Sequence, residues 1–176
     1  MILPPVWRKL LLVAHVVTSV GFVGAVAGFL ALSLTGLWTA DETLATAVYR
    51  AMAVLTSMVI LPVAVLSLLI GVVQSLGTPW GLFRYYWVIF KLVLTAVALG
   101  VLLLQLEPIE TLAEAARSGQ LAGYFAARVS TAFHATGGLA VLLTATVLSV
   151  YKPRGVTGYG ARAIAAGRGT EPSTSG

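Results

Sequence analysis

Cysteine is absent from this chain of 176 residues, which excludes a disulfide, a thiolate metal site and a cysteine nucleophile. Charge is scarce as well, since only 10% of the residues are charged, against roughly 25% in a soluble domain. Only six residues are acidic and none lies within a long apolar run, so paired carboxylates for hydrolytic chemistry are missing at membrane depth. Hydrophobic residues make up 59% of the chain, and the mean hydropathy of +0.96 predicts a protein of the lipid bilayer.

Four apolar runs are each long enough to cross a bilayer, because about 20 helical residues span a hydrocarbon core of ~30 Å. They cover residues 10–38, 51–76, 86–106 and 129–151. The sequence therefore predicts an all-α fold, a polytopic membrane protein in which residues 1–153 form a four-helix transmembrane bundle. An outer amphipathic segment is predicted over 108–118, as a lid on the bundle. Residues 154–176 are rich in small and polar residues and are predicted to be a disordered cytoplasmic tail.

The basic residues predict how the chain is oriented in the membrane. Eight of them lie on the side that carries both termini, and three lie on the opposite side together with five acidic residues. The positive-inside rule then predicts a multi-pass protein of the cytoplasmic membrane with both termini in the cytoplasm. The net charge of +5 does not indicate nucleic-acid binding, because the charges lie in short loops and the tail and form no basic helix face.

Two local signals concern the second apolar run. Thr39, Ala40, Asp41 and Glu42 follow the pattern of a capping box, which predicts that this helix begins outside the membrane near Asp41. Pro62 lies in the middle of the run and is predicted to kink the helix, because proline removes a backbone donor.

Small residues recur at helical spacing on the first and last apolar runs, a pattern that lets helices approach closely. They are Ala14, Thr18, Gly21, Ala25 and Gly28 on the first run, and Ala127, Thr131, Gly138 and Ala145 on the last. We therefore expect these two helices to be neighbours in the interior of the bundle.

His15 and Lys91 are the strongest candidates for a functional site, because ionisable side chains at membrane depth are costly. His15 lies six residues past Lys9, and Lys91 lies seven residues past Arg84, so both are about 9–10 Å below the inner surface. The two side chains are therefore predicted to share one level and to form one site. Neutral imidazole is a common axial ligand of haem iron, and a lysine can pair with a haem propionate or ligate the iron itself.

His134 is a third candidate for cofactor binding, but it belongs near the other surface. It lies six residues past Arg128, on the order of 12 Å from His15 in depth. This difference in depth favours haem b with His15 as the axial ligand of the metal. It argues against a haem held between the two histidines. Each candidate also has a purely structural interpretation. Lys91 can snorkel to the headgroups, and either histidine can hydrogen-bond to a neighbouring helix.

Three motifs occur in the same order as in known membrane-protein families. They are Ala14-His15 with Gly21-Phe22-Val23-Gly24, then Trp87-Val88-Ile89-Phe90-Lys91-Leu92, then Tyr151-Lys152-Pro153. Their order and spacing, over most of residues 10–153, resemble the HemJ-type protoporphyrinogen oxidases. The first motif also resembles the CopD-type copper-resistance membrane proteins. The HemJ resemblance implies that the first-helix histidine and the third-helix lysine, here His15 and Lys91, are tied to haem and to activity.

The chain also departs from these families. Phe22 stands where tryptophan is usual, and Gln105 stands in a region where histidine is frequent. A further resemblance, over residues 77–84 and 149–153, is to a group of bacterial four-span membrane proteins without an established activity. The oxidase reaction is therefore not transferred to this chain, and whether the protein is an enzyme is left open.

Three functions follow as hypotheses. The first is a membrane redox protein that binds b-type haem near the cytoplasmic face and exchanges electrons with a quinone. The second is a non-catalytic membrane subunit or assembly factor that holds a membrane protein partner, or a second copy of itself, through its small-residue helix faces. The third is a small-solute or metal-ion transporter, which is disfavoured because the spans lack acidic residues and a repeated pair of broken helices.

Overall fold

The computed structural model describes residues 4–77, 81–153 and 155–168, and most of these residues are helical. Within these ranges the α-helices are α1 (Pro5–Trp38), α2 (Glu42–Leu55), α3 (Leu61–Leu76), α4 (Tyr86–Leu104), α5 (Leu106–Arg117), α6 (Phe125–Tyr151) and α7 (Gly158–Arg168). A π-helical turn, Thr56–Ile60, joins α2 to α3, and a 3-10 turn, Leu121–Tyr124, leads into α6.

Four helical segments are long and apolar enough to cross a membrane. They are Pro5–Trp38, Glu42–Leu76, Tyr86–Arg117 and Leu121–Tyr151. Each segment contains one of the four apolar runs, so the predicted all-α fold with four transmembrane helices is confirmed. Helix α1 begins five residues before its apolar run, at Pro5, because proline is tolerated in a first turn where its missing N–H has no intrahelical acceptor.

The second membrane segment begins near Asp41, as predicted, but Asp41 is itself the capping residue. Its Oδ1 accepts hydrogen bonds from the backbone N–H groups of Thr43 (2.8 Å) and Leu44 (3.2 Å). Thr39, the capping position in the predicted box, instead accepts a hydrogen bond from the Asp41 N–H. A carboxylate is favourable at this position because the free N–H groups and the helix dipole both attract negative charge.

The disturbance predicted at Pro62 takes the form of the π-helical turn immediately before it. The Leu61 N–H bonds to the carbonyl of Thr56, five residues earlier rather than four. Proline has no N–H, and its ring crowds the carbonyl four residues back, so a wider preceding turn relieves the conflict. Thr56 and Ile60, at the two ends of this turn, are both buried in the bundle.

The predicted amphipathic segment is α5, and its apolar face packs onto the bundle. Helix α5 is separated from α4 by a break at Gln105. Leu112 on its apolar face is fully buried, and the hydroxyl of Thr46 on α2 donates to the Ala116 carbonyl. Gly119 then adopts a φ of +69°, a left-handed conformation that favours glycine and ends the helix.

Helix α1 is central to the bundle, since it packs against α2, α3 and α6. The prediction that the first and last membrane helices are neighbours is therefore confirmed. The glycines of the two small-residue stripes are not in close contact, however, because a methyl group at Gly28 or Gly138 would meet no atom of the described chain within 4 Å. The glycine of α1 that packs most closely against a neighbour is Gly36, where a methyl group would lie 3.0 Å from the ring of Tyr49.

We expect Gly36→Ala to lower the free energy of unfolding by about 1–3 kcal/mol, because overpacking forces a buried neighbour to move. Tyr49 is only 1% exposed and is held by Arg128, so its ring has little freedom to shift. Unfolding in mixed detergent–SDS micelles measures the change. The matched control, Gly28→Ala, adds the same methyl group to open space on the same helix and should be neutral or stabilising by up to about 1 kcal/mol. Equal losses in the two variants would contradict this assignment of close packing.

Part of the segment predicted as a disordered tail is ordered. Residues 155–157 run antiparallel beside the loop that precedes α4. The Thr157 hydroxyl donates to the Phe83 carbonyl (2.6 Å) and accepts from the Gly160 N–H in the first turn of α7. A Cβ at Gly160 would collide with the Arg84 carbonyl oxygen, so the close approach depends on glycine. The structure thus differs from the predicted tail over 155–168, because backbone contacts order a segment of low hydrophobicity, while residues 154 and 169–176 lie outside the described residues.

Candidate functional site

His15 and Lys91, which were predicted to share one depth, are in contact. Lys91 Nζ lies 3.2 Å from His15 Nε2, which links α4 to α1. The ammonium donates to Nε2 when the neutral ring carries its proton on Nδ1. The contact with the histidine favours a site within the bundle over the alternative interpretation, a Lys91 side chain that snorkels to the headgroups.

Helix α3 forms the wall against which the His15 ring packs. A methyl group at Gly71 would lie 2.9 Å from Cε1 of this ring, closer than real Cβ contacts, so the absence of a side chain there makes room for the imidazole. One turn away on each helix, after His15 on α1 and before Gly71 on α3, the hydroxyls of Ser19 and Ser67 form a hydrogen bond of 3.0 Å. These contacts set α1 against α3 and orient the imidazole. Sequence reasoning missed Gly71 and Ser67, because neither has a distinguishing spacing.

A polar atom near this pair lacks a partner. Gln74 Oε1 is buried without a hydrogen bond to any described residue, and Gln74 lies one turn from Gly71 on α3. Five of the six acidic residues of the sequence belong to the opposite end of the bundle, and Glu171 lies outside the described ranges. Both side chains of the pair are half-buried. The pair therefore presents an amine and an imidazole without a neighbouring counter-charge in the described chain, which suits a ligand with acidic groups.

His134 lies elsewhere, on α6, and does not join the pair. Its Nδ1 is 2.7 Å from the carbonyl oxygen of Ser130, one turn earlier on the same helix. A carbonyl oxygen can only accept, so Nδ1 carries a proton, and Nε2 of the neutral ring is left as an acceptor. The hydrogen bond of His134 is thus made within its own helix and not to a neighbouring one.

A cavity of about 250 Å³ lies beside His134, between α1, the π-helical turn, α4 and α6. Its polar lining consists of Thr56, Gln105, Thr131 and His134. The two threonine hydroxyls donate to carbonyls of their own helices, whereas Gln105 Nε2 is buried without a partner in the part of the chain that the structure describes. Sequence reasoning noted Gln105 only as a departure from a family pattern, because its unpaired amide is visible only in the packed bundle.

Arg128 joins three helices at the end of the bundle opposite Pro5. Its Nε donates to the Tyr49 hydroxyl (3.0 Å), and its Nη2 donates to the carbonyls of Gly36 and Leu37, the latter at 3.2 Å. The guanidinium carbon also lies 5.7 Å from the centre of the Tyr49 ring. The last carbonyls of a helix lack intrahelical donors and attract a cation, so this contact is structural. In the sequence, Arg128 is only a charge near the surface.

The His15–Lys91 pair and the cavity beside His134 are both formed by residues of this chain. The HemJ and CopD resemblances stay predictions, since they were drawn from short motifs within apolar helices. No protein-family model, no curated protein and no solved structure matches this chain.

Proposed function

We propose that this chain is an integral membrane redox protein that binds b-type haem at the His15–Lys91 pair, near the membrane face that carries its termini. The observation that supports it most directly is the contact of 3.2 Å between Lys91 Nζ and His15 Nε2 at membrane depth. Ionisable side chains within membrane helices are rare and mark functional sites by default. No described carboxylate lies near the two side chains, so Lys91 has no acidic partner there within the described chain. This also favours a bound ligand with acidic groups.

The donor set suits haem. Imidazole is a common axial ligand of haem iron, and a lysine ammonium is a partner for a propionate. Nε2 of His15 has Lys91 as its partner. An iron bound at Nε2 would take the place of the ammonium, which leaves Lys91 to pair with a propionate or to become the second ligand.

Haem bound here supplies reversible one-electron transfer. The chain supplies the ligand nitrogen on α1, the charge on α4 and an apolar surrounding that influences the reduction potential. Gly71 and the Ser19–Ser67 hydrogen bond keep the imidazole in one orientation. A quinone in the membrane is the chemical class of partner that such a one-electron carrier would serve.

A visible spectrum of the purified protein, oxidised and then reduced with dithionite, tests this function. We expect a Soret band and a sharp α-band after reduction, because a ligated b-type haem gives both. A protein that stays colourless, even when cells are grown with a haem precursor, would overturn the proposal.

A non-catalytic membrane subunit is a second candidate, favoured by one observation. Gly21, Gly24 and Gly28 form an exposed face of α1, where an added methyl group would meet at most Val63, at 4.0 Å, among the described atoms. Small residues on an exposed face allow the helix of a partner to pack closely. In this function the protein would be colourless and His15→Ala would have little effect, so the same spectrum separates the two candidates.

A further inference from the structure

The cavity beside His134 has the properties of a ligand site that is separate from the His15–Lys91 pair. Its walls are mostly apolar, and its volume of about 250 Å³ is slightly below the roughly 300–1,000 Å³ of sites for drug-sized molecules. One substituted ring fits a cavity of this volume. Thr56 and Ile60 of the π-helical turn line it, and such turns are frequent at functional sites.

Two polar groups that line the cavity can each form a further hydrogen bond, one as a donor and the other as an acceptor. Gln105 Nε2 is a donor without a partner among the described residues, and burying a donor unpaired is unfavourable. His134 Nε2 is an acceptor in the neutral tautomer that the Ser130 carbonyl selects. A ligand that satisfies both groups has one oxygen that accepts and one hydroxyl that donates.

The rest of the lining restricts the ligand to a neutral, lipid-soluble molecule. No lysine, arginine, aspartate or glutamate occurs among the described residues that line the cavity, so a charged ligand finds no counter-charge. A plain hydrocarbon would leave the Gln105 amide unpaired. Val97 of α4 and Phe133 of α6 line the cavity and are more than half exposed on the outside of the bundle, which gives access from the bilayer.

Part of the α6 wall of the cavity, at Gly137 and Gly138, is bare backbone. Gly137 and Gly138 both line it, and a Cβ at either position would meet no described atom within 4 Å. A flat ring can therefore lie directly against this wall, and a large side chain introduced here would fill the cavity.

We infer that this cavity binds the head group of a lipid-soluble quinol. One hydroxyl donates to His134 Nε2, and another oxygen accepts from Gln105 Nε2. The oxidised quinone binds more weakly, because its carbonyl oxygens cannot donate to the histidine. The inference does not depend on haem at the His15–Lys91 pair, since it uses other residues in another part of the bundle.

Selective labelling with ¹⁵N-histidine tests this inference on the full chain, which contains only two histidines. NMR spectra in detergent micelles are recorded during titration with decyl-ubiquinol, kept reduced under anaerobic conditions, and separately with decyl-ubiquinone; His15→Phe assigns the signals. We expect the quinol to shift the Nε2 signal of His134 and to bind more tightly than the quinone.

Gln105→Leu should weaken quinol binding by about 3- to 10-fold, the effect of one lost hydrogen bond. Gly138→Leu should abolish it.

Gln74→Leu and Gly100→Leu are the matched controls. Gln74 has a buried oxygen without a partner in the described ranges, and a side chain at Gly100 also meets no described atom within 4 Å, but neither residue lines the cavity. Both variants should bind decyl-ubiquinol within about twofold of the unmodified protein, since they keep every cavity contact. An unmoved His134 signal, equal affinity for quinol and quinone, or an equal loss in the controls would overturn the inference. Quinol binding by a colourless protein would support it and would refute only the haem proposal.

Discussion

Replacing His15 with alanine is expected to remove the haem from the protein completely. Alanine offers no ligand nitrogen, and the other histidine, His134, lies on α6 and does not join the pair. The Soret band and the reduced α-band should therefore vanish. His134→Ala removes the same imidazole from the other site and should keep both bands. The measurement is the haem content per chain as the pyridine haemochrome, with circular dichroism to show that the helices persist.

Variants of Lys91 separate the two roles that the amine can have. Lys91→Arg keeps the cation but cannot ligate iron, because the guanidinium does not lose its proton. An unchanged spectrum in this variant would therefore identify Lys91 as the propionate partner. Lys91→Met removes both roles and should weaken haem binding by about 10- to 100-fold. Full haem content in His15→Ala would show that the iron is not held by His15, and the same loss in His134→Ala would show that His15 is not the only histidine required.

Replacing Arg128 with alanine is expected to lower the free energy of unfolding by about 3–4 kcal/mol. The change removes the donor to the Tyr49 hydroxyl and the donors to the last carbonyls of α1. Because Tyr49 is almost fully buried, its hydroxyl then loses a partner in a place that water does not reach. Unfolding in mixed detergent–SDS micelles measures the loss. Arg128→Lys should recover less than half of it, since an ammonium lacks the planar fork of donors.

Arg117→Ala is the matched control for Arg128→Ala. Arg117 lies on the same end of the bundle and pairs with Glu114 at 2.8 Å, but both side chains are more than half exposed. Exposed pairs contribute about 0–1 kcal/mol, so the control should be nearly neutral. An Arg128→Ala variant as stable as this control would show that the contacts of Arg128 do not hold α1, α2 and α6 together.

The four membrane helices could be predicted from sequence because crossing a bilayer requires an unbroken apolar helix, which is a local property. The meeting of His15 and Lys91 was predictable in part. Their distances from flanking basic residues convert to depth through the rise per residue, and depth placed the two at one level. Depth does not say which way a side chain faces around the helix axis. The packing of α1 on α3, at Gly71 and at the Ser19–Ser67 bond, turns His15 towards Lys91.

The glycines show the same limit. Gly28, Gly36 and Gly71 all lie within apolar helices, but only Gly36 and Gly71 have a neighbouring ring where a side chain would begin. Likewise, Gln105 becomes a candidate ligand-binding residue only because α1, α4 and α6 form a cavity that it lines. By itself the sequence determined the number of membrane helices and their approximate positions in the chain, because these depend on one helix and the lipid around it. The tertiary structure decided rotation, close contacts and cavities, because these depend on side chains that other helices bring from distant parts of the chain.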